Sequence, residues 1–423
     1  MPAAAPLPRG PSVLTLYSAA DLLTGPGCPV CRYAGEAGDR YLAWFALAAH
    51  AEAVTITRLC ASLGMCPRHT RRLMSQPGAA IRLTAVYRYI MEAARDRLAG
   101  RAARVTACPA CEHNDEAAAR ALDTLLDGLA DGSVRERYRE LGGLCVPHLR
   151  AAASARGRRR VVIWLAGTMT AALSARPGLD WLAGQMDDDA EVRATLRQAI
   201  PATVRPGSDV CMACLTAARA ERDHLAQVSR ADGGRGQGTA GLLLCAGHLR
   251  DAAGLAGRGG VLSLLAWQAD CHAASLSRMS APPRRWTAGI PASWLQAGHR
   301  RAASSDDCAV CQNREDAGRR AVGGFLEVLR GSPLTHDRRA LLCVRHLLGL
   351  RAADPWAGQV MARDAVERAD VLIAELTEAF RKDTWAYRHE ARGREMTAWR
   401  RAAAFLDGSV FCGCPPREDR TAR

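Results

Sequence analysis

The residues best placed to do chemistry in this 423-residue chain are its cysteines and a few of its histidines. Cys28 and Cys31 ("CPVC") are followed by Cys66 and His69 ("CPRH"), and Cys108 and Cys111 ("CPAC") by Cys145 and His148 ("CVPH"). The pattern returns as Cys211 and Cys214 ("CMAC") before Cys245 and His248 ("CAGH"), and as Cys308 and Cys311 ("CAVC") before Cys343 and His346 ("CVRH"). The two kinds of motif strictly alternate, separated within each successive pair by 34, 33, 30 and 31 residues. Three thiolates and one imidazole make the donor set of a closed, tetrahedral structural zinc site. A Cys-x2-Cys in a tight turn would offer two sulfurs, and a Cys-x2-His on the first turn of a helix would offer two ligands on one face. Read in chain order, each Cys-x2-Cys pairs with the next Cys-x2-His, giving about four Zn2+ per chain. An iron–sulfur or other redox centre uses similar ligands, and the third pair, Cys211 and Cys214 with Cys245 and His248, has a glycine beside its histidine and is the candidate for a site that fails to form.

The remaining cysteines divide in two. Cys60 and Cys271 lie on apolar helical stretches and read as core thiols. Cys412 and Cys414, in "FCGCPP", form a Cys-x-Cys that reads as a frayed tail, with an extra metal or redox handle as the alternative. Sixteen cysteines in a chain without an export signal point to metal or redox chemistry in a reducing cytoplasm rather than to disulfides. The longest apolar run, "VVIWLAGTMTAAL", is too short to span a bilayer, so no membrane partner is expected.

The elements that must carry these ligands are helices. Apolar residues recur at helical spacing in "EHNDEAAARALDTLLDGLAD" (112–131), "IRLTAVYRYIMEAARDRL" (81–98), "VVIWLAGTMTAALS" (161–174), "VLSLLAWQADCHAASLS" (261–277) and "QVMARDAVERADVLIAELTEAF" (359–380). No alternating strand pattern stands out. The expected fold is mainly α: tandem helical modules, each stapled by a treble-clef-like Cys3His zinc site. The expected organisation is a disordered N-terminal tail (1–25), zinc module 1 (26–105), zinc module 2 (106–185), a linker (186–208), zinc module 3 (209–280), a linker (281–305), zinc module 4 (306–380), a Trp/Arg-rich helical segment (381–410) and a tail (411–423).

The formal charge is +14, carried almost wholly by arginine. Twelve coordinated thiolates and four Zn2+ would bring it to about +10, still basic. That charge keeps a nucleic-acid-binding regulator open as a function, although the arginines are scattered and aromatic residues make up only 5% of the chain.

The segment "RKDTWAYRHEARGREMTAWRRAAAFLDG" (381–408) differs in character from the modules. His389, Glu390 and Glu395 could serve as acid and base, but no nucleophile or phosphate loop accompanies them, and the stretch reads as a Trp/Arg-rich docking or capping helix. Together with "CPVC…GMCPRH" and "CPAC…GLCVPHL", the closing "AELTEAFRKDTWAYRHE…AWRRA" resembles a bacterial family of helical proteins that is catalogued as a domain of unknown function. The resemblance covers two modules and the tail; four modules with one tail depart from it and suggest duplication. It implies a cytoplasmic bacterial protein and no particular activity. The function expected is a non-enzymatic zinc-binding helical scaffold for protein–protein interaction, with no catalytic residues assigned and the oligomeric state left open. A nucleic-acid-binding regulator and a thiol–zinc redox sensor are the alternatives.

Overall fold

The computed structural model describes residues 11–25, 27–74, 79–101, 105–140, 143–153, 161–165, 167–168, 211–230, 308–331 and 342–408, with Leu244, His248 and Ala252. Within these the chain is mainly helical, and no extended strand occurs among the described residues. The helices are α1 (Val13–Leu22), α2 (Pro29–Leu47), α3 (Ala53–Ser62), α4 (Pro67–Met74), α5 (Ala79–Leu98), α6 (Pro109–Gly128), α7 (Gly132–Glu140) and α8 (Val146–Ala153). They continue with α9 (Met212–Arg230), α10 (Ala309–Gly331), α11 (Val344–Ala353), α12 (Pro355–Asp383) and α13 (Ala398–Asp407), with short 3-10 turns at Ala49–Ala51, Trp385–Tyr387 and Arg394–Thr397.

The chain divides into two compact units, neither of which is a consecutive stretch. One is made of residues 1–37, 114–190 and 224–312, the other of 38–113, 191–223 and 313–423.

The core of the second unit is built on α5 and α12. In α5 the buried side chains are Leu83, Val86, Tyr87, Ile90, Met91, Ala94 and Leu98, one face at helical spacing. In α12 the facing positions are mostly small (Gly358, Ala362, Ala365, Ala369, with Leu372 and Leu376), so the two backbones can approach closely. Asp354 caps α12, accepting the Ala357 N–H at 3.0 Å ahead of Pro355 at the first helical position. At Gly358 a Cβ would fall 2.4 Å from the Arg351 Cα, so only glycine permits the tight turn between α11 and α12. Arginines close helix C-termini: Arg97 donates to the carbonyls of Cys60 and Ala61, both at 2.8 Å, and Arg351 donates to the Leu98 carbonyl at 3.0 Å.

In the first unit α1 packs beside α7, burying Ala19, Leu22 and Leu23 with Leu125, Leu129 and Tyr138. The N-terminal stretch is therefore not wholly the disordered tail its prolines suggest. Past those prolines Ser12 accepts the Thr15 N–H at 3.1 Å and starts α1, and the leucines at its end give the helix something to bury. Of the apolar run at 161–174, residues 161–165 and 167–168 are helical, with Leu165 buried; the run at 261–277 lies outside the described residues. Cys60 is a half-buried thiol packed against the α5 core, and Cys271 lies outside the described residues.

Truncating Leu376, fully buried between α12 and its neighbours, removes core volume without touching a ligand. Leu376→Ala is expected to cost about 2–5 kcal/mol. Faster amide exchange in α5 and α12, with α1 and α7 unaffected, is the readout; unchanged exchange in α5 would contradict this packing.

Candidate metal centres

All seven described motifs sit in the same place on their helices. The carbonyls of Cys28, Cys66, Cys108, Cys145, Cys211, Cys308 and Cys343 each accept the N–H four residues on, at 2.9–3.1 Å. Each first cysteine is thus the residue before its helix, and the Cys or His three positions later lies in the first turn. The Cys-x2-Cys motifs were expected in turns of treble-clef type, yet they open helices just as Cys-x2-His does. A signal for this stood in the sequence: Pro29, Pro67 and Pro109 directly follow the leading cysteine, in the first helical position that proline prefers.

The donors gather into groups that differ from chain order. Cys28 and Cys31 meet Cys145 and His148, whereas Cys66 and His69 meet Cys108 and Cys111. Cys211 and Cys214 meet Cys343 and His346, and His248 meets Cys308 and Cys311. Within each half of the chain the first motif therefore pairs with the fourth and the second with the third. The in-order pairing inferred from the intervals is not what the structure contains. Helix length favours this pairing: α2 carries the chain about 24 Å from Cys31, and α3, about 15 Å long, does not by itself make up that distance. In the second half α9 and α10 are also long, about 28 Å and 34 Å. Cys245, expected to complete the fourth group, lies outside the described residues, as do Cys412 and Cys414.

Sulfur–sulfur separations in these groups are 3.6 Å (Cys31–Cys145), 3.7 Å (Cys66–Cys111) and 3.8 Å (Cys214–Cys343). The histidines turn Nδ1 inward, at 3.0 Å from Cys145, 3.3 Å from Cys66, 3.2 Å from Cys343 and 3.2 Å from Cys308. A tetrahedron with sulfur ligands at about 2.3 Å and nitrogen at about 2.05 Å has edges of about 3.8 and 3.6 Å, so the donors fit one zinc-sized ion. A disulfide would need about 2.05 Å, and every described cysteine is a free thiol. Because each group's ligand atoms lie within 4.8 Å of one another, the groups suit a single ion rather than a multi-iron cluster.

The electrostatics favour one anionic thiol in each complete group, at Cys28, Cys66 and Cys211. Two helix N-termini face each complete group, and their partial positive ends stabilise thiolates. Where the donors share protons, hydrogen bonds from Cys108 and Cys111 overcome burial and drive the Cys66 thiol far down. At the first group burial opposes ionisation of Cys28, but hydrogen bonds from Cys145 and Cys31 and the charge of His148 outweigh it. Burial works against a charged imidazole too, yet hydrogen bonds to Cys108 and Cys66 raise His69 to about 9, and the charge of Cys28 with hydrogen bonds to Cys28 and Cys31 raises His148 to about 10.

The third group has a lid. Gly408, in the left-handed conformation at the end of α13 (φ 70°), would place a Cβ 2.0 Å from the Cys214 sulfur and 3.3 Å from that of Cys343. Only a residue without a side chain can close α13 over these sulfurs.

Of the residues considered for acid–base work, Glu390 and Glu395 are engaged in ion pairs. Arg381 binds Glu378 at 2.8 Å and both oxygens of Glu390, while Lys382 binds Glu395 at 2.9 Å and the Ala391 carbonyl at 2.7 Å. The Gly393 N–H and Lys382 pull the Glu395 carboxyl down to about 2, and Arg381 lowers Glu390, so both stay ionised near neutrality and donate no proton there. Trp399, Phe405 and Leu406 are buried against α5 and α12, whereas Trp385 is 76% exposed beneath the Arg388 guanidinium.

No known protein family, curated protein or solved structure matches the chain. Among the described residues no helix is long and apolar enough to cross a membrane.

Two outcomes are expected. Because imidazolium and thiol protons must leave before the ligands can bind, metal uptake at pH 7 releases protons and tightens as pH rises, measured by titration in a weakly buffered indicator solution. Gly408→Ala forces an L-residue into the left-handed region, about 1–2 kcal/mol before any clash, and should weaken metal retention at the Cys211–Cys214–Cys343–His346 group alone. Equal retention at all groups would remove the lid's role.

Proposed function

We propose that the protein is a zinc-binding helical scaffold, without catalytic activity of its own, that presents its surface to a protein partner. One observation carries this reading: each of the three complete groups brings four protein donors within 4.8 Å of one another, enough to fill a tetrahedral site. A closed site leaves no position for water or substrate, which is the arrangement of structural rather than catalytic zinc. With Cys245 as the fourth ligand of the His248 group, the chain holds about four ions. The ion pairing of Glu390 and Glu395 supports the non-enzymatic reading, and the exposed Trp385 with Tyr387 and Arg388 offers one candidate contact for a partner.

Binding free energy at such sites is folding free energy, so the ions determine whether the helices they join stay docked. Native mass spectrometry with elemental analysis is the test. About four zincs per chain, and loss of helicity and of protease resistance on chelation, are expected. Iron in their place, or full helicity after complete removal, would overturn the reading.

A second reading is favoured by Cys31, an exposed ligand in an otherwise buried group. An accessible thiolate is where oxidation starts, so a redox sensor would lose its ion first from the Cys28–Cys31–Cys145–His148 group. Mild peroxide releasing one zinc from that group separates this reading from the first, under which all ions are retained.

A further inference from the structure

Residues up to 168 and residues from 211 onward carry the same nested order of ligands: an outer site from the first and fourth motifs and an inner site from the second and third. The compact units do not follow that division. One unit joins the outer site of the first half (Cys28, Cys31, Cys145, His148) to the inner site of the second (His248, Cys308, Cys311). The other joins the inner site of the first half (Cys66, His69, Cys108, Cys111) to the outer site of the second (Cys211, Cys214, Cys343, His346). Exchanging the halves therefore exchanges the units.

Each core is likewise shared. The face of α5 formed by Ile90, Met91, Ala94 and Leu98 belongs to the first half and is covered by α11, α12 and α13 of the second. Arg351 closes the C-terminus of α5 across this boundary, and Arg95 pairs with Asp370 at 3.3 Å. In the other unit Leu122, Leu125 and Leu149 share a cluster with Leu225, Val228 and Val310. No described metal group draws ligands from both halves. Among the described residues apolar packing, with a few arginine contacts, joins them rather than metal.

We infer that the chain is a covalently joined pseudo-dimer: each half is the binding partner of the other, and the peptide link between them is not needed once they have assembled. The surface of the first half centred on α5 is an interaction surface whose partner is the second half. A half on its own exposes this apolar face and holds two sites in two incomplete cores.

The test cuts the full chain. A specific protease site is inserted after Ala190 in one variant and after Pro206 in a second, and a variant is used only where the uncut protein keeps the metal content of the parent. After complete cleavage, confirmed on a denaturing gel, both fragments should run as one species at the mass of the whole chain in native mass spectrometry and size exclusion. They should remain together at high salt and separate only in denaturant. Fragments that elute apart under native conditions, each keeping its own ions and helicity, would overturn the inference. Loss of zinc from the intact chain bears on the metal reading alone, so the two can fail separately.

Discussion

Two helix N-termini meeting at one set of four donors is the constraint on which the rest of the molecule depends. Each helix brings two ligands from its first turn, in register because positions three apart share a face. Each also brings unpaired backbone N–H groups and a positive dipole end, which lower the cost of gathering thiolates. A helix whose first turn is held at such a group can point only along its own axis, so these groups constrain the directions of α2, α4, α6, α8, α9, α10 and α11. The apolar faces of α5 and α12, which start at no ligand, then fill the space those directions leave.

The ligands were legible in the sequence and their partnership was not. Cys-x2-Cys and Cys-x2-His are defined by local spacing, so each motif announces itself. Which motif meets which depends on the length and rigidity of the helix between them, and intervals of similar size are compatible with either pairing. The rigidity of α2 is the deciding fact, and it was available in principle: proline after the leading cysteine marks a helix start, and the apolar spacing continues to Leu47. The helices α5, α6 and α12 were readable because their buried faces keep a period of 3.6. The helix α1 was masked by the prolines before it, although a serine cap and paired leucines were present. What no local pattern could reveal is the mixing of segments in each unit, because contacts between distant halves leave only an apolar face on each.

The C-terminal segment illustrates how composition can suggest chemistry that geometry withdraws. A histidine, two glutamates and several arginines within a few residues look reactive on paper. In the fold Glu390 and Glu395 are held by Arg381 and Lys382, while the apolar side of α13 settles on α5 and α12. The two glutamates instead hold in place the segment that leads into the helix reaching the Cys214 and Cys343 sulfurs.

The nesting of the ligand groups has a consequence for how the chain comes to order. Cys66 and Cys111 are 45 residues apart, whereas Cys28 and His148 are separated by 120. Closing the larger loop costs about 0.9 kcal/mol more by chain entropy alone. In the second half His248 and Cys308 are 60 apart, and Cys211 and His346 are 135 apart. In a chain growing from its N-terminus the inner group of each half is also complete before its outer one, so synthesis and entropy run in the same direction. The last outer group receives its lid at Gly408, so ordering that begins between Cys66 and Cys111 ends where the described chain ends.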